Sequence, residues 1–379
     1  MWFNEKCSFY ILGKKRFLYS GIYVFQEIIS TLKGINKFFY VLSLYPGINK
    51  KLLIYTTFIK KFNIEEILIL KFFNIYTFKD IRRFIPGDLS IYLHYFNRRN
   101  LIRESFSARK LLADKYKTLK LCPKDLKYEH ILISFFCMEA TKKLKNSFLN
   151  LKKHISNEGI VIKPRYGSLN KNILFIQQEG KFLCIKKINS DFIYKLEKIK
   201  GLISIENLLE ALEKVGYEEK EFLIMPYLSN NNKFIYGANF VCRIITKFDF
   251  SKKEITIYSK WLEVHYKIDK ILFMDLDTNI VQKEHNTFSA KENEMIFEIK
   301  KFISENPNKI FDRTLEAAKK MHSLIEDIDY IAWDFIPTEN GPKLLEGNSD
   351  FNIFFPQLFH YLSNKKKKNS QFSSMINLY

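Results

Sequence analysis

The stretch Tyr330-Ile-Ala-Trp-Asp-Phe-Ile-Pro-Thr-Glu-Asn-Gly-Pro-Lys-Leu-Leu-Glu-Gly-Asn348 constrains this chain more than any other. Two apolar-rich runs flank Asn340-Gly341, a strong turn dipeptide, so the stretch reads as a β-hairpin. A three-residue loop, Glu339 to Gly341, would hold Gly341 in the left-handed region and pair Thr338 with Pro342. Continuing that register brings Asp334 opposite Glu346. Opposed side chains on a sheet lie about 5 Å apart at Cβ, where two like charges repel unless a cation stands between them. Asn348, two residues beyond Glu346, points to the same face. Two carboxylates and an amide make an all-oxygen donor set of the kind that shares Mg²⁺ with phosphates.

A solvated acidic face is the common alternative for such residues. Here Ile331, Trp333 and Phe335 form one apolar face, while Asp334 sits in a row with Tyr330, Ala332 and Ile336. A carboxylate in such a row is costly unless it is paired or metal-bound.

The chain of 379 residues is long enough for two or three domains. Its 47% hydrophobic and 16% aromatic content indicates a folded protein. No run of eighteen or more apolar residues predicts a membrane-spanning helix, and the first residues do not resemble a signal peptide. The five cysteines, at 7, 122, 137, 184 and 242, form no C-x-x-C pair. Neither a zinc site nor a disulfide framework is indicated, and a reducing cytoplasm fits. The net charge of +20 admits a nucleic acid, an anionic membrane or an anionic substrate as partner. The basic residues are spread along the chain without interleaved stacking aromatics, which disfavours nucleic acid.

Residues 1–112 read as a mainly helical, aromatic-rich region, with helices expected around Phe25–Leu32, Ile64–Phe73 and Tyr92–Asn97. A basic, aromatic surface there suits an anionic membrane or a glycan. From Asp114 the pattern changes. After a helix near 148–157, a short strand ends in Lys163 and is followed by Gly167-Ser168 and a second apolar strand. A lysine beside a turn whose N–H groups converge suits phosphate, although the pattern alone is common. Lys186 lies on the next strand, Leu202–Val215 reads as a helix, and Glu221–Leu228 as an apolar strand. Strands are expected across 233–281, including Arg243 and Lys260 as cations for a carboxylate, and helices across 286–307 and 314–324. On the latter, Ala317, Ala318, Met321 and Leu324 are expected to face the core, with His322 a surface or satisfied core residue. The tail at 365–379, with four lysines, reads as solvated.

Taken together, the lysine strand with its Gly-Ser turn, the second lysine strand, the apolar hinge, Ala238-Asn-Phe-Val-Cys-Arg243 and Ala332-Trp-Asp334 with Glu346-Gly-Asn348 resemble the ATP-grasp superfamily. More narrowly they resemble the sugar-transfer-associated ATP-grasp family of polysaccharide biosynthesis. The resemblance implies an α+β fold of two lobes gripping ATP over 113–364, with a hinge near 224–228. It implies ATP phosphates at Lys163, Gly167 and Ser168, the α-phosphate and adenine at Lys186, and adenine along the backbone of Ile224, Met225 and Tyr227. It further implies one or two Mg²⁺ ions, or Mn²⁺, at Asp334, Glu346 and Asn348, with Arg243 stabilising negative charge on the γ-phosphate or on an acyl-phosphate intermediate. The implied activity is an ADP-forming ligation of a carboxylate to an amine or hydroxyl on sugar-linked substrates. The implied location is the cytoplasm or the inner face of the membrane. A phosphotransferase and a non-catalytic ATP-binding scaffold are the alternatives. The turn departs from the family's glycine-rich form, with Asn170 and Asn172 at two glycine positions; asparagine tolerates left-handed backbone.

Overall fold

In a computed structural model, the chain divides into two compact units: one of residues through Tyr92 together with Asn352–Phe354, and one of Leu93–Phe351 with Phe355 onward. The structure describes residues 35–84, 106–134, 154–227, 239–283 and 290–366, with short gaps inside these ranges. The expectations for Phe25–Leu32, Tyr92–Asn97, Gly167, Ser168 and the end of the tail lie outside them.

The first unit is helical where described. Helix α1 covers residues 35–43, α2 Lys50–Ile54 and α3 Phe78–Ile81. Asn49 caps α2 by accepting from the Leu52 N–H, and Thr77 caps α3 by accepting from Asp80. A single π-helical turn, Tyr55–Ile59, extends α2. Leu53, Phe62, Ile67, Leu70 and Phe84 are buried, and the Phe354 ring meets those of Phe62 and Phe84.

The second unit is α+β, built on two antiparallel six-stranded sheets. It opens with α4 (Phe106–Ala113) and α5 (Lys115–Leu121). The first sheet contains β1 (Ile131–Ser134), β2 (Ile160–Pro164), β3 (Leu174–Glu179), β4 (Phe182–Lys187), β5 (Ile193–Glu197) and β6 (Glu221–Pro226), in the order β1-β6-β2-β3-β4-β5. Helix α6 (Ile205–Lys214) buries Ile205, Leu208, Ala211 and Leu212 on one side. These pack with Ile160, Ile162, Ile176, Ile185, Phe222 and Ile224 on one face of the sheet. The period of two along each strand leaves Val161, Lys163, Phe175, Lys186, Leu223 and Met225 on the other.

The second sheet contains β7 (Asn239–Asp249), β8 (Glu254–Lys267), β9 (Lys270–Asp275), β10 (Val281–Lys283), β11 (Tyr330–Ile336) and β12 (Lys343–Asn348), in the order β10-β9-β8-β7-β11-β12. Helices α7 (Ala290–Glu305) and α8 (Ile310–His322) supply Ile299, Phe302, Phe311, Ala318 and Met321 to a core with Ile244, Leu262, Trp333, Phe335 and Leu344. Leu223 and Met225 of the first sheet belong to this same core. Helix α9 (Phe354–Lys366) follows.

Ala108 and Leu112 pack into the core of the second unit, which begins at Leu93. Several expectations need correction. Leu324 is exposed. Because α8 ends at His322 and the chain turns, Ile325 fills the core position instead. Helix α9 runs into the lysine cluster as far as Lys366. Cys122, Cys184 and Cys242 are buried free thiols. Among the described residues no helix is long and apolar enough to cross a membrane.

Candidate functional site

The hairpin forms, and Gly341 adopts φ +109°. The Gly341 N–H donates to the Thr338 carbonyl at 2.9 Å. Beside the turn, however, the register is one residue off the expected one, with Ile336 opposite Lys343 and Phe335 opposite Leu344. A β-bulge then leaves Leu345 without a partner and restores the pairing of Asp334 with Glu346 and Ala332 with Asn348. The carboxylate pair therefore exists as expected, by a route the sequence does not show. Gly347 fits where it does because a Cβ there would lie 2.5 Å from the Trp333 ring.

Asp334 also stands opposite Arg243 on β7, and Arg243 opposite Trp261 on β8, so Glu346, Asp334, Arg243 and Trp261 form one row across the sheet. Arg243 grips Asp334 with both edges of its fork: Nε donates to Oδ1 and Nη2 to Oδ2, each at 2.6 Å. Its Nη1 lies 3.3 Å from Glu263 Oε1. Burial pushes the Asp334 carboxyl up, to about 6, against the pull of Arg243. Desolvation opposes the charge of Arg243, but attraction to Asp334 and Glu263 holds its pKa well above the ordinary value. Two short bonds to an always-charged guanidinium identify Asp334 as the carboxylate at neutral pH. Lys260 pairs with Ile244 and so lies on the helix-covered face, away from Arg243.

Glu346 accepts from Asn348 Nδ2 at 3.1 Å, and its Oε2 lies 3.6 Å from Lys115 Nζ. Burial would raise its pKa, but Lys115, Lys163, Asn348 and Arg243 together hold it below the ordinary value. Lys163 reaches across from the first sheet and donates Nζ–H to the Leu345 carbonyl at 3.0 Å. Burial brings this lysine down to about 8, opposed by the charge of Glu346. Lys115 owes its place to Asp114, which caps α5 through the Lys117 N–H and accepts from Arg165 Nε at 2.9 Å. Arg165 also donates to Glu221 at 3.0 Å, and its carbonyl accepts from the Lys115 N–H.

Lys186 lies in one row with Phe175, Val161 and Met225, on the face that carries Lys163. It pairs with Glu179 at 3.1 Å, near solvent. Ile224 is paired on both sides, with Ile131 and Ile162, and its side chain faces α6. Met225 and Pro226 stand opposite Val161 and Ile160, and the Tyr227 N–H is bonded to the Gly159 carbonyl at 3.0 Å. Asn172 adopts φ +56° and donates to Glu219, so asparagine does serve a left-handed position here.

His322 is a satisfied core residue. Its Nε2–H donates to the Ile328 carbonyl at 3.0 Å, which leaves Nδ1 to accept from the Thr246 hydroxyl at 2.6 Å. Thr246 in turn accepts from Trp333 Nε1.

Asp334, Glu346 and Asn348 offer three oxygen donors on one face, chemistry that fits Mg²⁺. In this arrangement Arg243 engages both Asp334 oxygens, and no group of three or more His, Cys, Asp or Glu residues among the described ones forms a metal cluster. Sequence reasoning missed Lys115, Glu263 and the Leu345 carbonyl. Nothing local in the sequence signals where Lys115 points.

No protein-family model matches the chain, and no curated protein does. Among solved structures it is similar to a D-alanine–D-alanine ligase from Helicobacter pylori, at 21% identity and a TM-score of 0.38, covering 73% of this chain and 64% of that one. A D-alanine–D-alanine ligase from Bacillus anthracis complexed with ATP gives 12% identity and a TM-score of 0.33, covering 64% and 56%. A carboxyaminoimidazole ribonucleotide synthase from Aspergillus clavatus complexed with ATP gives 12% and 0.37, covering 68% and 50%. The chain spans less than two thirds of the length of each.

Proposed function

We propose that this protein is an ATP-dependent ligase that activates a carboxylate as an acyl phosphate and joins it to an amine. One observation carries the reading. Lys163, on one sheet, converges at 3.0 Å on the hairpin of the other sheet that presents Asp334 and Glu346. Phosphoryl transfer depends on positioning and charge neutralisation, and cations on one sheet facing oxygen donors on the other would supply both.

Lys163, Lys115 and Lys186 would hold the nucleotide phosphates, with Met225–Tyr227 along the base. Asp334, Glu346 and Asn348 would hold Mg²⁺, which supplies charge neutralisation on the phosphates. The substrate carboxylate oxygen attacks the γ-phosphorus and ADP leaves. The amine then attacks the acyl carbon, loses a proton and releases phosphate. Arg243 can pass one donor from Asp334 to the acyl phosphate and keep the other. The engagement of both Asp334 oxygens by Arg243 favours a second reading, a non-catalytic ATP-binding scaffold.

Release of ADP and phosphate only when both an acid and an amine are present supports the ligase; phosphate retained on the product indicates a phosphotransferase. Asp334→Asn and Glu346→Gln are expected to keep ATP affinity and lose turnover. Unchanged turnover in both sinks the assignment. The finer reading, sugar-linked substrates of glycan assembly, is supported by the motif resemblance. The described residues of the first unit expose Phe39, Tyr40, Ile59 and Phe78 as well as Lys50, Lys51 and Lys79. That composition supports peripheral contact with anionic lipid. Co-sedimentation with phosphatidylglycerol vesicles, lost in Phe39→Ser/Ile59→Ser, is the test; no sedimentation of the unaltered protein overturns it.

A further inference from the structure

His130 lies immediately before β1. Ile131 stands opposite Ile224 and Leu132 opposite Leu223, so continuing the register by one places His130 opposite Met225. Met225 heads the row that runs through Val161 and Phe175 to Lys186. The imidazole therefore stands on the β1 edge of the face that carries Lys163 and Lys186, beside the segment read above as the hinge, and the charge of Lys163 acts on it.

Its chemistry is set by its neighbours. Nδ1 lies 3.1 Å from the Tyr128 carbonyl, an acceptor, so Nδ1 carries the hydrogen and donates. Nε2 is then left as a lone-pair acceptor, and no hydrogen bond to it is formed among the described residues. The rings of Tyr116 and Tyr128 meet the imidazole edge-on, with centroids at 5.8 and 6.0 Å, and fix its plane. Burial, followed by the positive charges of Lys127 and Lys163, holds the pKa below the usual histidine value. The result is a half-buried, uncharged acceptor held rigidly beside the hinge. A lone pair repels phosphate oxygens and requires an N–H or O–H donor. Beside the hinge, the donor that a purine nucleotide offers is the exocyclic amino group of its base.

We propose that His130 is a nucleobase-recognition residue whose Nε2 accepts a hydrogen bond from the 6-amino group of adenine. This rests on the nucleotide-binding reading above. It assigns the preference for ATP to a side chain, in addition to the main chain of the hinge.

The experiment is calorimetric binding of ATP and of purine riboside triphosphate, which lacks the 6-amino group, to the full chain and its variants. His130→Phe keeps a flat ring against Tyr116 and Tyr128 without an acceptor; His130→Gln keeps an acceptor. The unaltered protein is expected to prefer ATP by about three- to tenfold, the range of one neutral hydrogen bond. His130→Phe is expected to lose that preference while binding the deamino nucleotide as before, and His130→Gln to keep part of it. An undiminished preference for ATP in His130→Phe overturns the inference alone. Failure of the unaltered protein to bind either nucleotide overturns the nucleotide reading and this inference with it.

Discussion

Replacing Arg243 by methionine tests the charge arrangement at the centre of the site. The side chain of Asp334 is only 6% exposed, and Arg243 supplies both of its hydrogen bonds. Glu263 and Glu346, the other acidic groups acting on it, repel it. Removing one partner of a buried ion pair costs about 3–5 kcal/mol, because the remaining charge is left uncompensated. Protonation can relieve that cost. Even beside Arg243, Asp334 titrates near 6, against about 3.9 in the unfolded chain; without Arg243 its pKa rises further. A carboxyl with a raised folded pKa takes up its proton in the folded state first. The destabilisation of Arg243→Met is therefore largest at pH 8 and shrinks toward pH 5. Urea unfolding at pH 5, 6.5 and 8, followed by tryptophan fluorescence, measures it. The double variant Arg243→Met/Asp334→Leu is expected to recover most of the loss, because a well-packed apolar pair can match a buried ionic one. Glu346→Gln, which loses a partly exposed partner at 3.6 Å, is expected to cost less than about 1 kcal/mol. A deficit for Arg243→Met below about 1 kcal/mol at pH 8, or an equal deficit at pH 5 and 8, refutes the reasoning.

Three further outcomes are expected. Burial lowers His322 to about 4, so the unfolded chain takes up this proton first as the pH falls through 6.5. Stability should drop by about 2 kcal/mol between pH 7 and pH 5 on this account, and pH-dependent unfolding of His322→Gln should lack that component. Gly347→Ala places a Cβ 2.5 Å from the Trp333 ring, and overpacking of this kind costs about 1–3 kcal/mol in thermal or urea unfolding. Lys163, lowered to about 8, binds its proton more weakly folded than unfolded, so the fold should gain up to about 3 kcal/mol as pH rises from 8 to 10.5. Lys163→Met should flatten that rise and lose ATP affinity without destabilising the protein at pH 7; retained affinity argues against the lysine as a phosphate ligand.

The hairpin was legible because its signals are local: Asn340-Gly341 at the turn, alternation along the strands, and Asp334 in an apolar row. The strands bearing Lys163, Lys186 and Arg243, and the helices around 205–214 and 310–322, were legible for the same reason. What was not legible arises between elements distant in sequence. Lys115 meets Glu346 only because Asp114 and Arg165 fix the start of α5. Lys260 looked equivalent to Arg243 as a strand cation, yet pairing with Ile244 turns it to the opposite face. Leu324 has the spacing of a core residue, but the helix has ended before it. His130 carries no motif at all; its meaning comes from the strand beside it.

The bulge at Leu345 separates two tasks that the hairpin performs. If Leu345 were deleted, Leu344 would still face Phe335 and Glu346 would still face Asp334, in an unbroken ladder. The chain therefore carries one residue that strand pairing does not require, and its carbonyl is the one Lys163 takes. Because that carbonyl lies where the ladder is interrupted, the lysine can leave it without undoing a strand pair, as the proposed phosphate role requires. A shortened hairpin would keep its opposed acids and lose the resting place of the cation that faces them, so the two halves of the site can be altered independently.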